Sequence, residues 1–144
     1  MNRIRFLPAT LTILCALLLN ACSTAEATDQ TCQRLAAVQD NIAHFETAPV
    51  RSPSDRVVTV QSFARELDRI GSAASDKQLT SAADSLAHMY WTIADAAAAH
   101  PELESMELLR LVGERLDVER INTANATYLR VCPDASGSKS TTRL

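Results

Sequence analysis

Two histidines and a nearby carboxylate have the clearest potential for acid–base chemistry. His44 and His88 are expected at similar heights in a helical fold, and Asp84 precedes His88 by one helical turn. A buried histidine–carboxylate pair can shift its pKa values and transfer protons. We favour a plainer interpretation, because such a pair four residues apart commonly stabilises an exposed helix face. With Met89 and Met106 the histidines resemble a copper site only loosely, since methionines on different helices usually fill gaps in a core.

No familiar catalytic motif adds to these residues. The chain contains no glycine-rich phosphate loop, no HExxH and no GxSxG sequence. We therefore predict no catalytic residue, no metal ligand and no cofactor. The formal charge of −3 and the 4 % aromatic content also argue against nucleic acid as a partner, because its recognition needs basic patches and stacking rings.

The first 21 residues have the features of an export signal. Arg3 and Arg5 precede an apolar run over residues 6–19, and small residues follow the run. This run is shorter than the ~20 apolar residues that a helix needs to cross a bilayer. We therefore predict that residues 1–21 are a cleaved signal peptide and not part of the fold.

The end of that segment, Leu19-Asn20-Ala21-Cys22, resembles the lipobox of bacterial lipoproteins. The resemblance implies cleavage before Cys22 and attachment of a diacylglyceryl group to its thiol. Two acyl chains meet the requirement that stable anchoring takes more than one lipid signal. The alanine- and arginine-rich composition resembles that of small lipoproteins from high-GC Gram-positive bacteria. An ordinary signal cleaved near Ala21 or Ala25, with Cys22 left as a free thiol, stays open as the alternative.

Two of the four cysteines remain for the exported domain. Cys15 would leave with the signal and Cys22 would carry the lipid, which leaves Cys32 and Cys132. Two cysteines in an exported domain indicate a disulfide, and no CxxC or histidine spacing favours a metal site in its place. Because bridged Cα atoms lie within about 7 Å, the pair requires the start and the end of the domain to meet.

Helices must position these cysteines. With only 3 glycines in 144 residues, the chain lacks the turn residues that an all-β fold needs. Apolar residues at helical spacing predict four helices, and an even number in up-down order brings Cys32 and Cys132 to the same end. We therefore predict an all-α, up-down four-helix bundle with one disulfide from the start of helix 1 to the end of helix 4. The predicted helices cover about 29–46, 55–71, 76–100 and 102–131.

The domain order follows from these assignments. A lipidated cysteine and short linker over 22–28 follow the signal peptide. The bundle covers 29–133, and the polar segment 134–144 is expected to be a disordered tail.

The predicted fourth helix contains a change of register. Its first apolar stripe consists of Met106, Leu109, Val112 and Leu116, and a second stripe starts at Val118. We expect both stripes to face the core. Such a shift indicates a bend or a new facing partner, and Gly113 is the nearest weak point.

Small residues near the end of the third helix allow close packing. Ala94 and the four alanines at 96–99 surround Asp95. Such a surface lets another helix approach closely, and we expect the fourth helix rather than a second chain, because it follows within a few residues.

An aromatic layer is the candidate ligand site. Phe45, Tyr90 and Trp91 are expected at similar heights, together with His88, at the end of the bundle away from the disulfide. A loop over 47–55 that contains prolines is expected to cover this layer. Any binding of a small molecule or metal ion is predicted here.

The sequence as a whole indicates an exported, lipid-anchored protein whose specific role it does not name. Its location would be the outer face of the plasma membrane in a Gram-positive host, or the periplasmic face of either membrane in a Gram-negative one. We expect a non-enzymatic protein-interaction or structural module with an envelope protein as its partner and the membrane bound through Cys22. The alternative is a small-molecule or metal-ion binder that uses the aromatic layer.

Overall fold

A computed structural model describes the backbone of residues 11–48 and 52–134, and the side chains from residue 28 onward within those ranges. Residues 1–10 of the predicted signal peptide, residues 49–51, residues 135–144 of the predicted tail and the thiol of Cys22 lie outside this description. Every element of the described residues is helical, and none of these helices is long and apolar enough to cross a membrane. The helices are α1 (Leu11–Thr47), α2 (Pro53–Ala73), α3 (Lys77–Ala99), α4 (Ser105–Gly113) and α5 (Val118–Val131).

The first helix is longer than the predicted segment 29–46. It begins at Leu11 and includes the predicted linker 22–28. The span Leu11–Thr47 contains neither glycine nor proline, so nothing in its sequence interrupts the helical hydrogen bonds. Four residues of its predicted apolar stripe are buried: Cys32, Leu35, Val38 and Ile42.

Side-chain caps fix the starts of α2 and α3. The hydroxyl oxygen of Ser52 accepts a 3.2 Å hydrogen bond from the backbone N–H of Asp55, and Pro53 occupies the first turn of α2. A carboxylate oxygen of Asp76 accepts a 2.7 Å hydrogen bond from the N–H of Gln78 at the start of α3. These caps satisfy N–H groups that have no partner within the helix.

The predicted single helix over 102–131 is two helices in the structure. The first ends at Gly113, and Asp117 caps the second by accepting a 2.9 Å hydrogen bond from the N–H of Arg120. Glycine is a poor helix former and aspartate favours a cap, so the sequence stops one helix and starts another within five residues. The expected bend near Gly113 is therefore a complete break.

This break changes which side chains are buried. Met106, Leu109 and Val118 were expected in the core, but they are 78 %, 54 % and 58 % exposed. Val112 was also expected in the core and is buried, and Leu108, one turn before it on α4, is buried although it was not predicted. The prediction was wrong for Met106 and Leu109 because the buried face of α4 is the one that carries Leu108 and Val112. It was wrong for Val118 because this residue is the first of a separate helix, α5.

Helix α3 is the common packing surface of the domain. Helices α2, α4 and α5 all pack against it, and α1 packs against α2. Near the C-terminal end of α3, Ala96 and Ala97 pack with Leu108 and Val112 of α4. The prediction that the alanines near the end of α3 pack against the following helix is thus confirmed for Ala96 and Ala97.

The predicted disulfide joins α1 to the end of α5. Cys32 and Cys132 are bonded, their Cα atoms are 5.5 Å apart, and both side chains are buried in the main apolar core. The bond closes a separation of 100 residues along the chain. The disulfide therefore links α1 directly to α5, two helices that otherwise pack mainly against other helices.

Reduction of the disulfide should destabilise the domain strongly. Chain-entropy theory gives a contribution of up to about 4.7 kcal/mol for a loop of this length. We expect a lower urea midpoint after reduction and a mass increase of about two, and reduction should not change the midpoint of the Cys32→Ser/Cys132→Ser double variant. An equal midpoint before and after reduction of the parent protein would contradict this account.

Candidate functional site: an apolar pocket among four helices

A pocket of about 350 Å³ lies where α1, α2, α3 and α4 approach one another. Its position is opposite the disulfide end of α1, since Phe45 lies thirteen residues after Cys32 on that helix. Aromatic and aliphatic side chains supply most of its wall, with a few polar groups among them. The lining residues are Ile42, Phe45, Glu46, Ala48, Arg56, Val60, Phe63, Tyr90, Ile93, Ala97, Ser105, Leu108 and Leu109.

Three aromatic rings from three helices form one side of the pocket. The ring centroids of Phe45 and Phe63 are 5.7 Å apart and the rings are inclined at 78°. Phe63 and Tyr90 are 5.9 Å apart and inclined at 74°. Edge-to-face pairs of this kind contribute about 0.5–1.5 kcal/mol each beyond the area they bury. The three rings are therefore a preorganised wall.

Local sequence explains why space remains beside these rings. Phe45 is the last member of the α1 stripe, and Phe63 belongs to a stripe on α2 that includes the buried Val60. On α3, Ala97 presents only a methyl group where a larger side chain would fill the volume. Helix α4 reaches this level with Leu108, which closes the pocket without occupying it.

Two side chains of opposite charge border the pocket. Glu46 belongs to α1 and Arg56 belongs to α2. The guanidinium of Arg56 donates one long hydrogen bond of 3.5 Å to the carbonyl oxygen of Leu103. Since guanidinium carries five N–H groups, most of its donors remain for water or a ligand.

Burial and charge hold Tyr90 in its neutral form. Desolvation, assisted by the negative charge of Glu46, raises the pKa of Tyr90 to about 12. Its hydroxyl therefore keeps its proton at any physiological pH. The group is suited to donate a hydrogen bond and not to act as a base.

The structure brings together half of the predicted aromatic layer. Phe45 and Tyr90 both line the pocket, whereas His88 and Trp91 do not. His88 is exposed on α3. The indole Nε1 of Trp91 donates a 2.8 Å hydrogen bond to Asp68, and the guanidinium of Arg65 lies 6.0 Å from its ring centroid. Trp91 thus joins α3 to the outer face of α2.

Sequence reasoning missed several pocket residues. Phe63 was recognisable as an apolar stripe residue of α2, and its ring is central to the aromatic wall. Leu108 was missed because the predicted apolar stripe of the fourth helix was placed on the face that carries Met106 and Leu109. Glu46 and Arg56 carried no signal, because isolated charges at helix ends usually face solvent.

A second, polar groove of about 550 Å³ runs between α3 and α5. Arg120 crosses it, and its Nε donates a 3.0 Å hydrogen bond to the hydroxyl of Ser85. That hydroxyl in turn donates to the carbonyl oxygen of Ser81 at 2.8 Å. These bonds join two helices and satisfy the buried Ser85 hydroxyl, so we assign the groove a packing role.

The described residues contain no cluster of three or more histidine, cysteine, aspartate or glutamate side chains that could hold a metal ion. Cys32 and Cys132 form the predicted disulfide. The side chain of the predicted lipidation site, Cys22, lies outside the described part of the chain.

Tyrosine ionisation should report on the pocket. The chain contains only two tyrosines, and burial also raises the pKa of Tyr128, with Asp40 adding to the shift. Because the folded pKa values exceed the unfolded value of 10.0, their contribution to stability is complete below pH 10. It is lost as the pH rises towards 12, where Tyr90 ionises in the folded protein.

We expect the folded protein to show less tyrosinate absorbance at 295 nm and pH 10 than the urea-unfolded chain, whose tyrosines are about half ionised at that pH. Circular dichroism at the same pH verifies that the fold persists. In Tyr90→Phe the absorbance step near pH 12 should disappear. Half-ionised tyrosines in the folded protein at pH 10 would contradict the burial described here.

Comparisons of the chain with protein-family models, curated proteins and solved structures give no match.

Proposed function

We propose that this chain is an exported, lipid-anchored envelope protein that binds a small apolar molecule in the pocket among α1, α2, α3 and α4. The pocket itself carries the proposal of binding. Ligand sites commonly have volumes of about 300–1,000 Å³, with hydrophobic and aromatic walls and a few polar groups that orient the ligand. A pocket of about 350 Å³ walled by Phe45, Phe63 and Tyr90 has these properties.

The anchor is supported by two observations that are independent of the pocket. The Leu19-Asn20-Ala21-Cys22 sequence resembles a lipobox, which implies a diacylglyceryl group on Cys22. The Cys32–Cys132 disulfide favours an oxidising compartment, because such bonds form and persist outside the cytosol. We place the domain on the outer face of a plasma membrane, or on the periplasmic face in a host with two membranes.

We interpret the helix arrangement as a variant of the up-down four-helix bundle. Ala97 packs with Leu108 of α4, and Ser85 bonds to Arg120 of α5. Later residues of α3 thus meet earlier residues of the α4–α5 segment, as in an antiparallel pair. In this interpretation α4 and α5 together replace the fourth helix.

A second candidate function is a protein-interaction module without a small ligand. The exposed apolar side chains of Met106, Leu109 and Val118 favour it, since all three lie on the α4–α5 segment. This candidate predicts that apolar probes do not occupy the pocket. Substituting Met106 and Leu109 would then abolish capture of a specific envelope protein.

Filling the pocket should abolish binding of an apolar probe. Val60 lines the pocket, whereas Val58 on the same helix is 63 % exposed and does not line it. We expect the fluorescent probe 1-aminoanthracene to bind the full chain in phospholipid nanodiscs, with empty nanodiscs as the blank. Val60→Phe should lower its affinity at least tenfold, and Val58→Phe should leave it unchanged. Equal binding by the two variants, with equal thermal midpoints, would place the probe elsewhere.

The anchor has a separate test in cells. We expect Cys22→Ala to release the protein from the membrane fraction or to leave the signal uncleaved. The matched variant Cys15→Ala should be processed and retained like the parent, because Cys15 belongs to the apolar run of the signal. A processed Cys22→Ala protein that stays in the membrane fraction would contradict lipid attachment at this residue.

A further inference from the structure

We propose that the ligand of this pocket is a neutral, compact apolar molecule with one hydrogen-bond acceptor, such as an aromatic ketone, ester or quinone, that accepts from the hydroxyl of Tyr90. This inference rests on the proposed function, because it names the chemical class of ligand for the same pocket. It adds two requirements that the pocket alone does not impose. The ligand carries no charge, and it presents an acceptor.

The charges at the pocket argue for a neutral ligand. Glu46 and Arg56 both border it, so the two charges offset each other and the pocket favours neither an anion nor a cation. Either ion would also lose hydration against a wall of aromatic and aliphatic side chains, which is costly for an unpaired charge. A neutral molecule avoids this penalty and still gains the burial of its apolar surface.

The acceptor requirement comes from Tyr90. Its ring forms part of the aromatic wall, and its hydroxyl makes no hydrogen bond to the described residues. No buried side-chain oxygen or nitrogen among these residues lacks a partner, so this hydroxyl keeps contact with solvent. Burial and the charge of Glu46 raise the pKa of Tyr90 to about 12, and the hydroxyl is therefore a donor at neutral pH. A ligand that covers this hydroxyl without offering an acceptor would leave the donor unsatisfied.

The shape of the pocket suits a small ligand with flat aromatic rings. The rings of Phe45 and Phe63 are nearly perpendicular, as are those of Phe63 and Tyr90. Such a wall offers ring faces and edges to a flat guest, which packs by the same edge-to-face geometry. A volume of about 350 Å³ has room for a naphthalene-sized molecule.

Four matched naphthalene probes separate the requirements. 2-Acetylnaphthalene is neutral and carries an acceptor, and 2-ethylnaphthalene is neutral without one. 2-Naphthoate is the anionic probe, and 2-naphthylmethylammonium is the cationic probe. We would measure their dissociation constants by isothermal titration calorimetry with the full chain in nanodiscs. The acetyl probe should bind about three- to tenfold more tightly than the ethyl probe, as one hydrogen bond predicts. It should bind at least about tenfold more tightly than either ion.

Two tyrosine variants identify the donor. Tyr90→Phe keeps the ring and should reduce binding of the acetyl probe to the level of the ethyl probe, without changing binding of the ethyl probe. Tyr128→Phe is the matched control, because Tyr128 is the other tyrosine of the chain and does not line the pocket. It should change neither affinity. An acetyl probe that binds Tyr90→Phe as tightly as the parent overturns the proposed hydrogen bond.

Charge variants test the other requirement. Glu46→Gln should raise the affinity for 2-naphthoate, and Arg56→Gln should raise the affinity for 2-naphthylmethylammonium. Tightest binding of either ion by the parent would overturn neutrality but leave the proposed function intact. No binding of any probe by a folded parent protein would overturn the proposed function itself.

Discussion

Close packing against α3 is the constraint on which the rest of the structure depends. Three other helices contact this one helix, and its buried positions are mostly small. Ala83 and Ala94 have no measurable exposure, so their neighbours approach nearly to the backbone. Interiors at this density lose contacts whenever a side chain is shortened or enlarged. The short alanine side chains therefore set the distance between α3 and its partners.

The pocket follows from the same packing. At Ala97 the side chain that α3 presents towards α4 is only a methyl group. The aromatic residues of α1 and α2 do not fill the volume that this small side chain leaves. The disulfide fixes the opposite end, so α1 is tied both at Cys32 and through the contact of Phe45 with Phe63. A domain held in this way can keep an open apolar pocket without collapse. The proposed ligand binding at the pocket end of the domain is compatible with the proposed lipid attachment at Cys22, which precedes the disulfide end.

The sequence predicts the helices well where one side of each is buried along its whole length. The disulfide follows from the two cysteines that remain in the predicted exported domain. The buried residues of α1 and the common level of Phe45 and Tyr90 follow from helical spacing. The break before Asp117 was not predicted in full, because a register shift is compatible with a bend or with two helices. Trp91 was misplaced by rotation, since adjacent residues on a helix point about 100° apart. The positions of Glu46 and Arg56 at the pocket depend on how the ends of α1 and α2 approach each other. The spacing of apolar residues along each helix does not determine that approach.

The central claim is that the rings of Phe45, Phe63 and Tyr90 enclose a ligand, and NMR of the protein with bound 2-acetylnaphthalene tests it most directly. The account predicts intermolecular nuclear Overhauser effects between the naphthalene protons and the ring protons of Phe63 and Tyr90. It also predicts that the methyl group of Met106, which is exposed on α4, shows none. Effects confined to Met106 and Val118, with none to the three rings, would contradict the account and favour a surface that contacts another protein.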